Sequence, residues 1–193
     1  YMLSLSFSLL KKERLMFGQS NPPIQKTAFL GSPQTVKLII SASLAAQNDY
    51  VVRQMAEAIC RDLRSKDYLS EMLAILHYIS ANTRYMRDPA TIELVKAPEL
   101  VIKEILSNQR PQLDCDDLTA LLAALLLAVG NRIRVVTVAF RHVFYKNERQ
   151  YSHVFVQALE PRSNVWVTLD PVAGERVKNM HQRAVAFKIY NVT

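Results

Sequence analysis

The spacing of apolar positions changes several times along the chain. Residues 3–9 read Leu-Ser-Leu-Ser-Phe-Ser-Leu, the strict two-residue period of a strand with one apolar face. Residues 18–34 hold Gly18, Pro22, Pro23, Gly31 and Pro33, which is linker composition. From residue 49 the period becomes helical. Asn48 or Asp49 can cap a helix over 50–64, on which Val52, Met55, Ala56, Ile59 and Leu63 recur. Cys60 falls inside that pattern and is expected as a small buried apolar residue. Asp67 opens a second helix with Leu69, Met72, Leu73, Leu76 and Ile79 on one side and His77 beside the stripe. The segment from Asn82 to Pro89 breaks it, Pro98 starts a short third helix through Leu106, and Pro111 ends that one.

The next stretch is the most informative. Leu113-Asp114-Cys115-Asp116-Asp117-Leu118 precedes an almost unbroken apolar run from Leu121 to Val129, closed by Gly130. Asp114 reads as an N-cap, Asp117 as its capping-box partner and Gly130 as the C-terminal stop. Leu118, Leu122, Leu125, Leu126 and Val129 make one face; Ala120, Ala123, Ala124 and Leu127 make an equally apolar opposite face. A helix apolar on all sides is expected at the centre of a fold.

Beyond Gly130 the pattern turns to strands over 133–140, 151–159 and 164–170. With Glu160-Pro161-Arg162-Ser163 as the hairpin loop, Ala158 falls opposite Val165, Val156 opposite Val167 and Val154 opposite Leu169. One face is then wholly apolar, and a one-residue slip would mix the faces. In this register His153 and Asp170 stand directly opposite on the other face, with Phe155 and Trp166. Opposed side chains have Cβ atoms about 4.5–5.5 Å apart, which suits a carboxylate bonded to an imidazole.

Composition adds limits rather than a function. The chain has 193 residues, 50% apolar and 21% charged, enough for one globular unit and incompatible with wholesale disorder. No apolar run is long enough to span a membrane. Two cysteines, Cys60 and Cys115, cannot supply a disulfide framework and suit a reducing compartment. The net charge of +7 lies at the ends: residues 1–48 carry five basic residues against one acid, residues 49–130 nine against twelve, and residues 131–193 ten against four. No nucleic-acid motif and no basic run interleaved with aromatics accompanies it, so a solvated basic surface is expected and nucleic acid is not. The basic cluster Lys11, Lys12 and Arg14 follows the apolar residues 3–9 instead of preceding them, the reverse of a secretory signal.

Cys115 sits in the first turn of the central helix, where the helix N-terminus favours a thiolate. Asp114, Asp116 and Asp117 oppose it, so from these residues alone the thiol is either inert or activated by a nearby imidazolium. The three acids point in different directions around the helix and make a poor metal cage.

Three motifs, in order, resemble the transglutaminase-like superfamily of papain-type folds: Asp114-Cys115-Asp116-Asp117 with its apolar helix, Ser152-His153-Val154-Phe155-Val156, and Trp166-Val167-Thr168-Leu169-Asp170-Pro171. The resemblance covers about residues 80–175. Upstream, Asn82-Thr83-Arg84-Tyr85, Asp88-Pro89 and Glu93-Leu94-Val95 resemble copies in tailed bacteriophages and prophages. Leu113 departs from the pattern, in which a Gly commonly precedes the Asp.

The resemblance implies an α+β fold, a helical half whose Cys-bearing helix packs on an antiparallel sheet. It implies acyl transfer at amide bonds by Cys115, His153 and Asp170, with a peptide or amide as substrate and no cofactor or metal. Cys115 would be the nucleophile, His153 its base and then acid, and Asp170 would orient the imidazole. The Cys115 N–H, at a helix start, would donate to the oxyanion; Gln109 or Gln112 could supply a second donor, and Trp166 and Phe155 could line the cleft. Water as acceptor gives a protease or amidase, an amine a transamidase; hydrolysis is expected. The corresponding division of the chain is an extended arm over 1–17, a linker and lead-in over 18–48, and a transglutaminase-like domain over 49–193. The arm, with Leu3, Leu5, Phe7 and Leu9 on one face, is expected to pair with another subunit or protein. That makes a virion component of a tailed phage the alternative to an enzyme, in the particle or the bacterial cytoplasm.

Overall fold

The computed structural model describes residues 24–27, 33–87, 93–145, 147–172 and 179–192. The expected arm over 1–17 lies outside them. The architecture is α+β, with helices packed on one face of an antiparallel sheet. No helix of the described residues is long and apolar enough to cross a membrane.

The helical half contains α1 (Pro33–Ala46), α2 (Tyr50–Cys60), α3 (Tyr68–Asn82), α4 (Pro98–Leu106) and α5 (Cys115–Ala128). Their starts follow the sequence. Asp49 accepts the N–H groups of Val51 and Val52, Asp67 that of Ser70, and Pro98 occupies the first turn of α4. Every residue of α5 from Asp116 to Leu127 is buried, as its all-round apolar surface requires. Each of its leucines contributes roughly 1.5–3 kcal/mol by leaving water. Gly130 ends the run at φ +83°, and the N–H of Asn131 reaches back to Leu126 O at 3.0 Å.

Two boundaries differ from the expected ones. Residues 18–48 are not all linker: Ile24–Thr27 form β1, antiparallel to β3 (Glu93–Lys96), and Pro33–Ala46 form α1, packed on α5. Val36 and Ile39 are buried and the Ser43 hydroxyl donates to Ala120 O at 3.1 Å, so the folded unit begins before residue 49. The glycines and prolines that suggested a linker bracket short regular elements here. In α3 the inward stripe is Met72, Ile75 and Ile79, while Leu69 and Leu73 face outward. The expected stripe is rotated, because Leu69 and Leu73 fit the helical period as well as Ile75 does. His77 is exposed.

The main sheet has the order β10-β5-β8-β9, from β5 (Ile133–Ala139), β8 (His153–Glu160), β9 (Val165–Leu169) and β10 (Ala186–Asn191), all antiparallel; β6 (Phe144–Tyr145) and β7 (Glu148–Arg149) pair with each other between β5 and β8 in the chain. The edge strand β10 was not legible, since Phe187 and Ile189 are left substantially exposed and Lys188 interrupts the apolar run. Val154, Val156 and Ala158 lie with Ile133, Val135 and Leu169 on the face covered by α5, as expected.

The hairpin register is different by two residues. Glu160 pairs with Val165, Ala158 with Val167 and Val156 with Leu169. The loop is therefore Pro161–Asn164, and Asn164 takes φ +55°. Glu160 stays in the strand because its carboxylate accepts the N–H groups of Arg162 and Ser163 at 3.1 and 2.6 Å. The Ser163 hydroxyl, which also donates to it, and these two N–H groups hold its carboxyl below the usual range. A slip of two keeps every side chain on its face, so the apolar alternation could not detect it.

Candidate active site

Two local devices hold Cys115 at the start of α5. Asp114 caps the helix, accepting the N–H groups of Asp116 at 2.9 Å and Asp117 at 3.1 Å. Just upstream, β4 (Gln112–Leu113) runs parallel to β2 (Arg84–Tyr85), and the Met86 N–H donates to Leu113 O at 2.8 Å. Leu113 is buried and joins the core beside α5. Asp117 turns its carboxylate to the backbone N–H of Lys96 in β3, at 2.6 Å. Expected as a capping-box partner, it ties the first turn of α5 to a strand twenty-one residues earlier in the chain.

On the sheet, His153 begins β8 and pairs with Val138 of β5. Its Nε2 lies 2.6 Å from Asp170 Oδ2. The Asp170 side chain is fully buried and its other oxygen accepts the Val172 N–H at 2.9 Å. A carboxylate only accepts, so Nε2 carries the proton and Nδ1 is left as the basic nitrogen. In the observed register the two residues are not directly opposed. Asp170 falls one residue beyond the last β8–β9 pair, diagonal to His153 on the same face. A diagonal neighbour is still within reach of an imidazole. The His153 ring lies between Phe140, stacked at 6.5 Å between centroids, and Phe155 at 6.3 Å.

Helix and sheet are locked together close to these groups, since the Thr119 hydroxyl donates to Val154 O at 3.2 Å. Cys115, His153 and Asp170 all line one open cleft of about 780 Å³. Cys115 and His153 also share the wall of a small hollow of about 10 Å³ under α1. The Cys115 thiol has Asp116 Oδ1 at 3.6 Å, and Asp114, Cys115 and Asp116 each offer a ligand-type atom within 4.8 Å of the others. Asp114 Oδ1 is already engaged by two helix N–H groups.

The other cysteine differs. Burial and the nearby Glu71 carboxylate push the Cys60 thiol up from 9.0 to about 11.

Several expected lining residues are placed elsewhere. Trp166 pairs with Leu159 at the far end of the sheet, under the Arg134 guanidinium at 4.2 Å. Phe155 is buried beneath His153 in an apolar cluster with Val136, Val138 and Met180. Neither Gln109 nor Gln112 is among the residues lining the cleft. The walls instead include Tyr85, Arg87, Phe140, Arg141, Tyr151 and Arg183. Tyr85 ends β2, Arg183 lies on the short helix α6 (Met180–Arg183), and the other four lie outside the regular elements.

No family model matches the chain, and no curated protein matches it. Two solved structures are similar to it. A candidate protease from Parabacteroides distasonis is 14% identical, with a TM-score of 0.49 over 70% of this chain and 27% of the other. A candidate cysteine protease from Cytophaga hutchinsonii is 17% identical, with a TM-score of 0.48 over 87% of this chain and 58% of the other. The chain thus spans about a quarter and somewhat over half of their lengths.

Proposed function

We propose that the chain is a cysteine-dependent hydrolase of amide bonds, of the transglutaminase-like type, with Cys115, His153 and Asp170 as its catalytic groups. The observation that carries this reading is the bonded His153–Asp170 pair in a cleft whose wall also holds a cysteine at a helix N-terminus. His153 Nδ1 takes the thiol proton, and Cys115 Sγ attacks the amide carbonyl carbon. The C–N bond breaks as the imidazolium returns the proton to the leaving amine, leaving a thioester. Water, deprotonated by the same imidazole, then releases the acid and the thiol. Asp170 keeps Nε2 protonated and the ring fixed throughout, and its burial stops water competing for that bond.

The local acids set a condition on this chemistry. Asp116 stands against the thiol and disfavours a thiolate, so the imidazolium has to outweigh it. The ordered trio of motifs supports the superfamily; Leu113, part of the core, stands where that pattern commonly has Gly.

The test is cleavage of a mixed peptide pool, read by mass spectrometry, with wild type and Cys115→Ala side by side. New peptide termini generated only by wild type are expected. Identical digests, with both proteins folded, would contradict the reading; covalent transfer of added amines without new acids would assign transamidation instead.

A further inference from the structure

We infer that the cleft selects peptides with acidic side chains on both sides of the amide acted upon. The inference rests on the hydrolytic reading for the word amide and on the cleft's own charges for the rest. Arg87, Arg141 and Arg183 line the cleft, and all three are exposed. Among the described residues no carboxylate forms an ion pair with any of them. The two acids in the same wall are occupied: Asp114 caps α5, and Asp170 holds His153 and the Val172 N–H. Three exposed guanidinium groups against these two carboxylates leave the cleft wall with a net positive charge.

The three arginines come from different segments around the cleft that Cys115 and His153 line. Arg87 follows Met86, whose N–H bonds Leu113 just before the nucleophile-bearing helix, and so lies on the cysteine side. Arg141 follows Phe140, whose ring stacks on His153. The Arg183 guanidinium stands 5.8 Å over that same Phe140 ring. Two of the three cleft arginines thus belong to chain segments on the histidine side and one to a segment on the cysteine side. An extended peptide passing the thiol has side chains on both flanks, and carboxylates there would meet forked donors that match their geometry. Tyr85 and Tyr151 are also in the wall, and tyrosine rings suit contact with a peptide chain. Their presence fits a chain of amino acids better than a bare anion.

The experiment separates binding from turnover. Two ten-residue, end-blocked peptides carrying a neutral dye are used, one alternating Ala and Glu, the other with Gln for every Glu. Anisotropy titrations on the Cys115→Ala chain should show the Glu peptide binding about tenfold tighter, from three exposed ion pairs worth roughly two- to threefold each. The preference should shrink as salt rises. Arg87→Gln, Arg141→Gln and Arg183→Gln together should abolish it. Lys37→Gln, Arg64→Gln and Lys103→Gln, which lower the net charge equally at exposed positions outside the cleft wall, should leave it.

Equal affinity for the two peptides, or equal loss in both triple variants, would overturn the inference. With wild type, faster cleavage of the Gln peptide would also overturn it while sparing the hydrolytic reading. Arginine-dependent binding of the Glu peptide with no cleavage would sustain the inference and count against that reading.

Discussion

Replacing Asp114 by alanine should destabilise the fold through one well-defined loss. Its carboxylate accepts two backbone N–H groups of the first turn of α5, at 2.9 and 3.1 Å, and is itself only 5% exposed. Loss of an N-cap costs about 0.5–2 kcal/mol, the lower values coming from exposed helices where water takes over the donors. Here Asp116 and Asp117 are buried too, so water replaces the carboxylate poorly. The expected cost is about 2 kcal/mol, which for a chain of this size lowers Tm by roughly 4–8 °C. Urea unfolding followed by circular dichroism measures it, with Asp114→Asn as the control. The amide keeps an acceptor oxygen and should lie within about 0.5 kcal/mol of wild type. A near-neutral Asp114→Ala would refute the capping argument. An Asn variant as unstable as the Ala variant would show that charge, not capping, is what Asp114 supplies.

Three further outcomes follow from named contacts. Asp116→Asn removes the carboxylate 3.6 Å from Sγ and should speed alkylation of Cys115 about tenfold near neutral pH, measured with iodoacetamide; an unchanged rate would show that this carboxylate does not burden the thiolate. Asp170→Asn should cut peptide turnover by at least a hundredfold with little change in KM, because the amide can leave Nδ1 with the proton and His153 without its basic nitrogen; equal turnover would remove Asp170 from the mechanism. Cys60 and Tyr78 are both raised by burial, so the folded chain holds their protons longer than the unfolded chain. Stability is therefore full below about pH 9 and should fall as pH rises towards 11, and Cys60→Ala should flatten part of that decline in a Tm-against-pH series.

Features set by local chemistry were legible in the chain. The caps at Asp49, Asp67 and Asp114, the proline start at residue 98 and the Gly130 stop each follow from one or two residues and a helix end. The faces of β8 and β9 were legible because an alternating apolar set marks one face of each with a period of two. The pairing register was not, since shifts of two residues leave that period intact and the loop was decided by Glu160 bonding Arg162 and Ser163. His153 and Asp170 still share a face because an even shift conserves it, and the imidazole reaches a diagonal partner as well as an opposed one. Asp117 shows the opposite case: its spacing fits a capping box, but β3 brings a backbone donor to it that no local pattern announces. The cleft's arginines were hidden for the same reason, being brought together from two connecting segments and the short helix α6, far apart in the chain.

The most direct test of the central claim is the pH dependence of Cys115 alkylation, in wild type and in His153→Ala, both carrying Cys60→Ala. Cys60, held near 11, contributes a thiolate fraction about a hundredfold below that of an ordinary thiol, and its replacement removes even that. With an imidazolium partner, the wild-type rate should persist down to about pH 6. In His153→Ala the acids around Cys115 act unopposed, and the rate should fall about tenfold per pH unit from well above neutrality. Superimposable profiles for the two proteins would contradict the account and leave Cys115 a structural residue.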